Sequence, residues 1–469
     1  MTPWERLQNE VIEPGNCFFC GACVGLNPEI LTFSETENGP VPKLKYSENN
    51  FKPEKLELAW AVCPGRGIPF PELFRLQNPK FFSWLIGPYE NIFLSHATDP
   101  KIRLEAASGG VISRVLIHLL DSAAIDGAVV LQQGREDPET ATPFIATTKE
   151  EILLARQSVY AVTPTLTILN EIDAFPGKLA FVGLPEQVAA IRMLQAAGYP
   201  AALKIVYVLG PYTGTNMYSG AIRAFLSGQG VSEKVPIESI RWRAGAWPGH
   251  LDVTTADGQS FKAEKFYYNY LIPFYISRNS QIIPDFTNEL TDISVGDAWE
   301  PILEKQGIGH SVVIARTKEM HKILADLSYS NELYLDPIPI SKAFSMHGHM
   351  LDFKKRGTFI RLASQEQRGD PVPDFGYIPQ KIPYSRKLIE SIISAQFSIG
   401  RTNAARKVLH YIPVSVLGPA FNILRKVWKY ISKPGKRRGL VDCRFIINDN
   451  RERWQEINSS AKVISHDLN

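Results

Sequence analysis

Cysteine is scarce in this chain, with five in 469 residues, and four of the five fall before residue 64. So few, so unevenly placed, exclude a disulfide-stapled secreted scaffold and read as ligands. A run of about 20 apolar residues, the length a membrane-crossing helix needs, is also missing. The longest uncharged stretches, Ile205 to Ile222 and Val408 to Leu424, are broken by Gly210-Pro211 and by Pro413, Gly418 and Pro419. The start, Met-Thr-Pro-Trp-Glu-Arg-Leu-Gln, shows neither a basic stretch followed by an apolar one nor an Arg/Ser-rich leader. The expectation is a cytoplasmic protein, peripheral to a membrane at most. Excess charge of one sign is absent too: 51 Lys and Arg against 48 Asp and Glu leave +3, which gives no footing for nucleic acid.

What is present is enough apolar residue, 44% of the chain, to bury two or more cores. Asn91–Ala97 reads as a strand, Ser108 to Leu120 carries apolar residues at helical spacing, and Ile125–Leu131 reads as a second strand. The pattern recurs in Lys178–Gly183, Glu186 to Ala197 and Leu203–Leu209. Two such units predict an α/β fold with a mostly parallel, helix-covered sheet. Beyond 235 the texture becomes mixed, with a strand at Ser311–Ala315, and predicts an α+β extension. Residues 369–384 read as a Pro/Gly linker, and 385–469 as a basic helical tail. Residues 385–440 hold twelve Lys/Arg and one acid, Glu390, so a +11 tail hangs on a body near −8.

Cys17-Phe-Phe-Cys20-Gly-Ala-Cys23 has C-x2-C-x2-C spacing, and Cys63-Pro64 follows at a distance. In bacterial ferredoxins a fourth cysteine follows three residues on and ligates another cluster. Here that position is Asn27, followed by Pro28. Residues 1–78 therefore read as a ferredoxin-like segment holding one [4Fe-4S] cluster through Cys17, Cys20, Cys23 and Cys63. Gly21 would let backbone amides approach the sulfides. Structural zinc is the alternative, but it favours paired knuckles over a triple. Cys443 stands apart and reads as a bystander.

Arg103-Leu-Glu-Ala-Ala-Ser108-Gly109-Gly110 lies between strand and helix, with Ser108 placed as an N-cap and the glycines open to a phosphate. Gly183-Leu-Pro185-Glu-Gln187 occupies the equivalent loop of the second unit. Crevices at the carboxyl ends of parallel strands are where such sheets bind cofactors. An ordinary capped turn explains either loop alone.

These features, together with Gly183-Leu-Pro-Glu-Gln-Val-Ala-Ala-Ile-Arg192, Arg243-Ala-Gly-Ala-Trp-Pro-Gly249 and Asp292-Ile-Ser-Val-Gly-Asp297-Ala-Trp299, resemble the beta-subunit family of coenzyme F-420 (deazaflavin) hydrogenases and dehydrogenases. That family includes the reductases of chlorophyll intermediates. The resemblance covers roughly residues 14 to 362. It implies an FAD- and [4Fe-4S]-dependent oxidoreductase passing electrons between ferredoxin, or a partner subunit, and a two-electron acceptor. Residues 85–170 and 171–368 become the two parts of the flavoprotein core, and Arg103, Ser108, Gly109, Gly110, Gly183, Pro185 and Gln187 the candidate flavin contacts. Two alternatives stand beside it: an electron-transfer subunit of a hydrogenase-like or dehydrogenase complex, without turnover of its own, and a degenerate binding module. The chain departs from the family where many members carry further cysteines, at Glu186 and in Ser277–Phe286, so a single cluster is expected. A deazaflavin, a tetrapyrrole and a carbohydrate or isoprenoid intermediate all suit such a site.

Asp297 is a candidate for orienting flavin or substrate, with a turn aspartate as the alternative. His347 and His349, within Met346-His-Gly-His-Met-Leu-Asp-Phe-Lys354-Lys355-Arg356, are candidate proton donors because histidine titrates near working pH. The three cations would suit a phosphate or carboxylate. In the tail, Phe421, Leu424, Trp428 and Ile431 share one helical face beside Arg425, Lys426 and Lys429. Such a helix could lie on an anionic membrane, dock an acidic partner such as ferredoxin, or pack on the body. Lys433-Pro-Gly-Lys-Arg-Arg438 reads as a flexible basic linker.

Overall fold

The computed structural model describes residues 1–448 and 451–467, so the final residues of the expected tail, 468 and 469, lie outside the described residues. Its centre is an eight-stranded sheet. In chain order the strands are β1 (Asn91–Ala97), β2 (Gly127–Gln133), β3 (Ala141–Ala146), β4 (Leu179–Val182), β5 (Ile205–Pro211), β6 (Ile293–Asp297), β7 (Ser311–Ala315) and β8 (Leu333–Pro337). They lie side by side as β8-β1-β7-β6-β5-β4-β2-β3. β2, β4, β5 and β6 pair in parallel, and β7, β1 and β8 extend the sheet antiparallel on one side, as β3 does on the other. Five of the eight, β1 among them, therefore run in one direction.

Side-chain alternation explains why both faces are covered. In β4, Leu179 and Phe181 pack with Val188, Ile191 and Leu194 of helix α2 (Pro185–Ala196), while Ala180 turns to the other face. There it meets α1 (Val111–Asp121) and α3 (Lys318–Tyr329) through Val115, Leu119, Met320 and Leu324. A strand with both faces buried needs apolar residues at successive positions, and Ser311-Val-Val-Ile-Ala315 is buried throughout.

The second predicted unit forms as expected, with β4 and β5 neighbours across α2. The first does not: β1 and β2 run in the same direction but four strands lie between them. Local periodicity carries no information about that distant pairing. The extension holds a three-stranded antiparallel sheet of Ile237–Ala244, His250–Thr255 and Ser260–Glu264.

The cysteine segment consists of short helices and a hairpin of Leu31–Ser34 with Val41–Leu44. Phe18, Cys20, Ala22, Val62, Ile68 and Phe70 join the same core cluster as α2, so the segment is anchored on the sheet body. The 369–384 stretch is pinned to it: Ile68 N donates to Asp374 O at 2.9 Å and Asp374 N to Arg66 O at 3.0 Å.

After α4 (Ile340–Asp352) come the tail helices α5 (Tyr384–Gly400) and α6 (Val414–Arg437). Glu390, the one acid of 385–440, is buried between Arg361 and Arg386, and Arg386 also meets Asp352 at 2.6 Å. The stretch read as a flexible linker after Lys433 continues the helix to Arg437, where buried Arg356 donates to the carbonyls of Lys436 and Arg438, at 2.5 and 2.9 Å. A guanidinium on the last carbonyls compensates the helix end.

Candidate functional site

Cys17 and Cys20 lie in the loop before a short helix, Ala22–Leu26, that carries Cys23; Cys63 follows another, Glu57–Ala61. The fold brings the four together. Burial pushes every one of these thiols up, Cys17 to about 12, and neighbouring thiols add to it: Cys20 feels Cys63, Cys23 and Cys17, and Cys23 feels Cys17 and Cys63. Opposing this, backbone N–H groups of Phe19, Ala22, Val24, Gly65 and Arg66 donate to the sulfurs. Crowded thiols that receive amide hydrogen bonds are the donor chemistry of an iron–sulfur site. Among the described residues no three Cys, His, Asp or Glu side chains converge on one ion position. A cubane requires no such point, because each thiolate takes its own iron. Gly21 serves a different purpose from the expected one: at φ +92°, a Cβ there would lie 2.7 Å from Pro164 O. Asn27 is buried at the end of the 22–26 helix, its amide donating to Cys23 O at 3.4 Å. Cys443 sits elsewhere, beside Arg356 and Asp352.

A cavity of about 1530 Å³ opens at the carboxyl ends of the co-directional strands. Ser108, Gly110, Gly183, Gln187, Asp297, His347 and His349 all line it, so residues from four separate segments converge. Arg103, Gly109 and Pro185 stand behind the wall. Arg103 Nε donates to Gly309 O at 2.9 Å, and its guanidinium lies against His310. Gly109 packs so tightly on β1 and β7 that a Cβ would come within 2.8 Å of Ser95 O. Pro185 starts α2.

Ser108 is not the N-cap of α1. Gly110 takes that position at φ +75°, and Ser108 Oγ donates to His310 O at 2.8 Å. The first turn of α1 consequently has no side-chain cap, and Val111, Ile112 and Ser113 line the cavity. In α2, Leu184 N donates to Gln187 Oε1 and Gln187 Nε2 to Thr163 O. Two helix starts thus meet one cavity, an arrangement that favours anions.

Tyr160, Arg243 and Lys265 complete a polar wall that the sequence reading left unassigned. Arg243 grips Asp297 with both terminal nitrogens, at 3.0 and 3.1 Å, and Trp247 Nε1 donates to the same carboxylate at 2.7 Å. Burial raises Asp297, but Arg243 and Trp247 outweigh it and hold the carboxyl below its usual range. Asp297 is therefore a paired anion in the wall, not a bare turn residue. Burial would likewise raise the Tyr160 phenol, yet Lys265 and Arg243 bring it down to about 8. Arg243 carried a signal, since it opens a quoted motif. Tyr160 sits in an apolar loop and carried none.

The histidines differ from expectation. Burial lowers His347 to about 4; its ring bonds the Asp297 backbone, and Nε2 is left without a protein partner. His347 is hence neutral near pH 7, a hydrogen-bonding group in the cavity wall. His349 is exposed, at the edge of the cavity. Lys354, Lys355 and Arg356 do not reach the cavity: all three are buried, with Lys354 donating to Ser280 O at 2.7 Å, Lys355 paired to Glu289 at 2.6 Å and Arg356 to Asp352 at 2.6 Å. The two departures from the cysteine pattern meet in space, where Asn279 Nδ2 donates to Glu186 Oε1 at 2.8 Å.

One stretch of chain separates the thiols from the cavity. Leu166 N donates to Cys20 O at 2.9 Å, while Tyr160, Thr163 and Thr165 line the cavity.

Residues 92–170 match the family described as coenzyme F420 hydrogenase/dehydrogenase, beta subunit N-term, and residues 177–340 match its C terminus. The coenzyme F420 hydrogenase subunit beta of Methanothermobacter thermautotrophicus is 26% identical over 305 residues, 62% of this chain and 99% of that protein. The coenzyme F420-dependent sulfite reductase of Methanocaldococcus jannaschii is 26% identical over 68% of this chain, which spans only 47% of that enzyme. An uncharacterized protein of Nostoc sp. is 31% identical over 65% of this chain and 73% of its own length. The chain belongs to the coenzyme F420 hydrogenase/dehydrogenase beta subunit family.

Proposed function

We propose that the chain is an iron–sulfur flavoprotein oxidoreductase, with one [4Fe-4S] cluster on Cys17, Cys20, Cys23 and Cys63 and FAD in the large cavity. The observation that carries this reading is the segment 160–167, which bonds the backbone of Cys20 at Leu166 and lines the cavity with Tyr160, Thr163 and Thr165. A bound flavin would supply the exchange between one-electron and two-electron partners that a lone cluster cannot perform. The cavity exceeds the roughly 300–1,000 Å³ of a single-ligand pocket, so cofactor and acceptor fit together. The starts of α1 and α2 bind the cofactor phosphates. Asp297, fixed by Arg243 and Trp247, orients what lies against the strand ends, and neutral His347 offers a hydrogen bond. Tyr160 holds a proton at its phenol oxygen at neutral pH and gives it up readily, because Lys265 and Arg243 stabilise the phenolate.

The electron donor in this reading is ferredoxin or a partner subunit, and a deazaflavin is the first acceptor to assay, since coenzyme F420 appears in the relatives' names. The match to nearly the full length of a hydrogenase subunit beta favours a second reading, a subunit active only within a complex. Anaerobic purification with iron, sulfide and flavin analysis and paramagnetic resonance spectra tests the proposal. A colourless protein with zinc as its only metal contradicts it. Deazaflavin reduction by the isolated holoprotein selects the free enzyme; activity only after partner subunits are added selects the second reading.

A further inference from the structure

Helix α6 has three faces. Phe421, Arg425, Trp428 and Ser432 are partly or fully buried toward the body, Arg425 lying 4.6 Å from the centre of the Phe266 ring. On the opposite side Val416, Ile423, Leu424, Val427, Tyr430 and Ile431 are 51–84% exposed. At helical spacing they form one stripe about 22 Å long. Between the two faces run Lys426, Lys429 and Lys433. The ion pairs of the tail among the described residues are those of Arg386, Glu390, His410 and Glu456, which leaves these three lysines in none. Leu388, Ile392 and Ile399 of neighbouring α5 are exposed as well.

The expected amphipathic helix is therefore present, but rotated. Phe421 and Trp428 face the protein, while Leu424 and Ile431 belong to an outward stripe. A continuous apolar stripe in water marks an interaction surface. Its partner must accept aliphatic side chains along four turns and cations down the flank. Among the described residues no helix is long and apolar enough to cross a membrane. A helix with apolar and cationic faces so divided lies along a bilayer surface, its lysines reaching the headgroups.

We infer that α6, with α5 beside it, docks this protein on an anionic membrane surface. Leu424, Val427, Ile431 and Ile392 are both part of the exposed apolar surface and part of the cavity lining. The membrane contact and the cavity thus share a wall.

The test is flotation of the full chain with vesicles of equimolar phosphatidylglycerol and phosphatidylcholine, against vesicles of phosphatidylcholine alone. The wild type floats with the anionic vesicles and not with the neutral ones. The triple variant Ile423→Ser, Val427→Ser, Ile431→Ser, altered only at exposed positions and checked by its melting curve, partitions about tenfold less or weaker still. Lys426→Gln with Lys433→Gln lowers partitioning severalfold and blunts its salt dependence. A wild type that stays with neither vesicle, a triple variant that floats undiminished, or a stripe that instead buries itself in a dimer or on an acidic protein overturns the inference. Flotation reads neither cofactor nor turnover, so failure of the flavoprotein reading would leave this result intact.

Discussion

The thiol site and the cavity solve opposite problems. The four cysteines are crowded, deprived of water and pushed toward the protonated state, which disfavours free thiolates; in the proposed reading a bound cluster would relieve this. The cavity holds its charges in advance: Arg243 and Asp297 are already paired, and the start of α1 carries no side-chain cap. In the proposed function one site would be completed by its occupant, and the other is built to receive one.

The largest expected effect separates the two. Cys20→Ser takes iron from about four atoms per chain to nearly none, whereas flavin bound per chain stays within experimental scatter of the wild type. Joint loss of iron and flavin would show that the sites are not independently built. Arg243→Ala should do the converse, sparing iron while weakening flavin binding. It leaves Asp297 with only the Trp247 hydrogen bond and the charge of Lys265 and costs about 3 kcal/mol of stability, measurable as a shifted denaturant midpoint.

Tyr160 sharpens the electrostatic half of the contrast. Its phenol ionises near pH 8 in the folded protein against 10 ordinarily. The unfolded chain thus binds more protons between those values, and the stability Tyr160 contributes grows as pH rises from about 8 to 10 and is lost as pH falls through 8. An ultraviolet titration should show one tyrosinate step near pH 8 that Tyr160→Phe removes. A step that survives the substitution belongs to another residue. The smallest effect is assigned to Ser108→Ala. Since Ser108 bonds the His310 carbonyl and caps no helix, the loss is about 0.5–1.5 kcal/mol with flavin affinity little changed.

Much of this was legible in the sequence where the signal is local. Periodicity located β1, α1, β2, β4, α2 and β5, and the spacing of Cys17, Cys20, Cys23 and Cys63 identified residues that do come together. What stayed hidden depends on distant partners. Strand order could not be read because β7 and β6, from late in the chain, insert beside β1. Lys354 and Lys355 looked like free cations because their partners, Ser280 and Glu289, lie far away in the sequence, whereas the partner of Arg356, Asp352, stands one helical turn before it. His347 looked like an acid–base group because burial, which lowers it, is a property of the fold. Ser108 lost its expected role to a backbone conformation, the positive φ of Gly110, that a Ser-Gly-Gly string permits without declaring.

In the proposed function, electrons cross from the cysteine site to the cavity within one chain. Rapid mixing of the anaerobic holoprotein with a one-electron donor such as reduced ferredoxin, followed at flavin wavelengths, tests it most directly. Flavin bleaching should be fast in the wild type and slow by orders of magnitude in flavin-loaded Cys20→Ser. Equal bleaching rates in the two proteins would contradict the account.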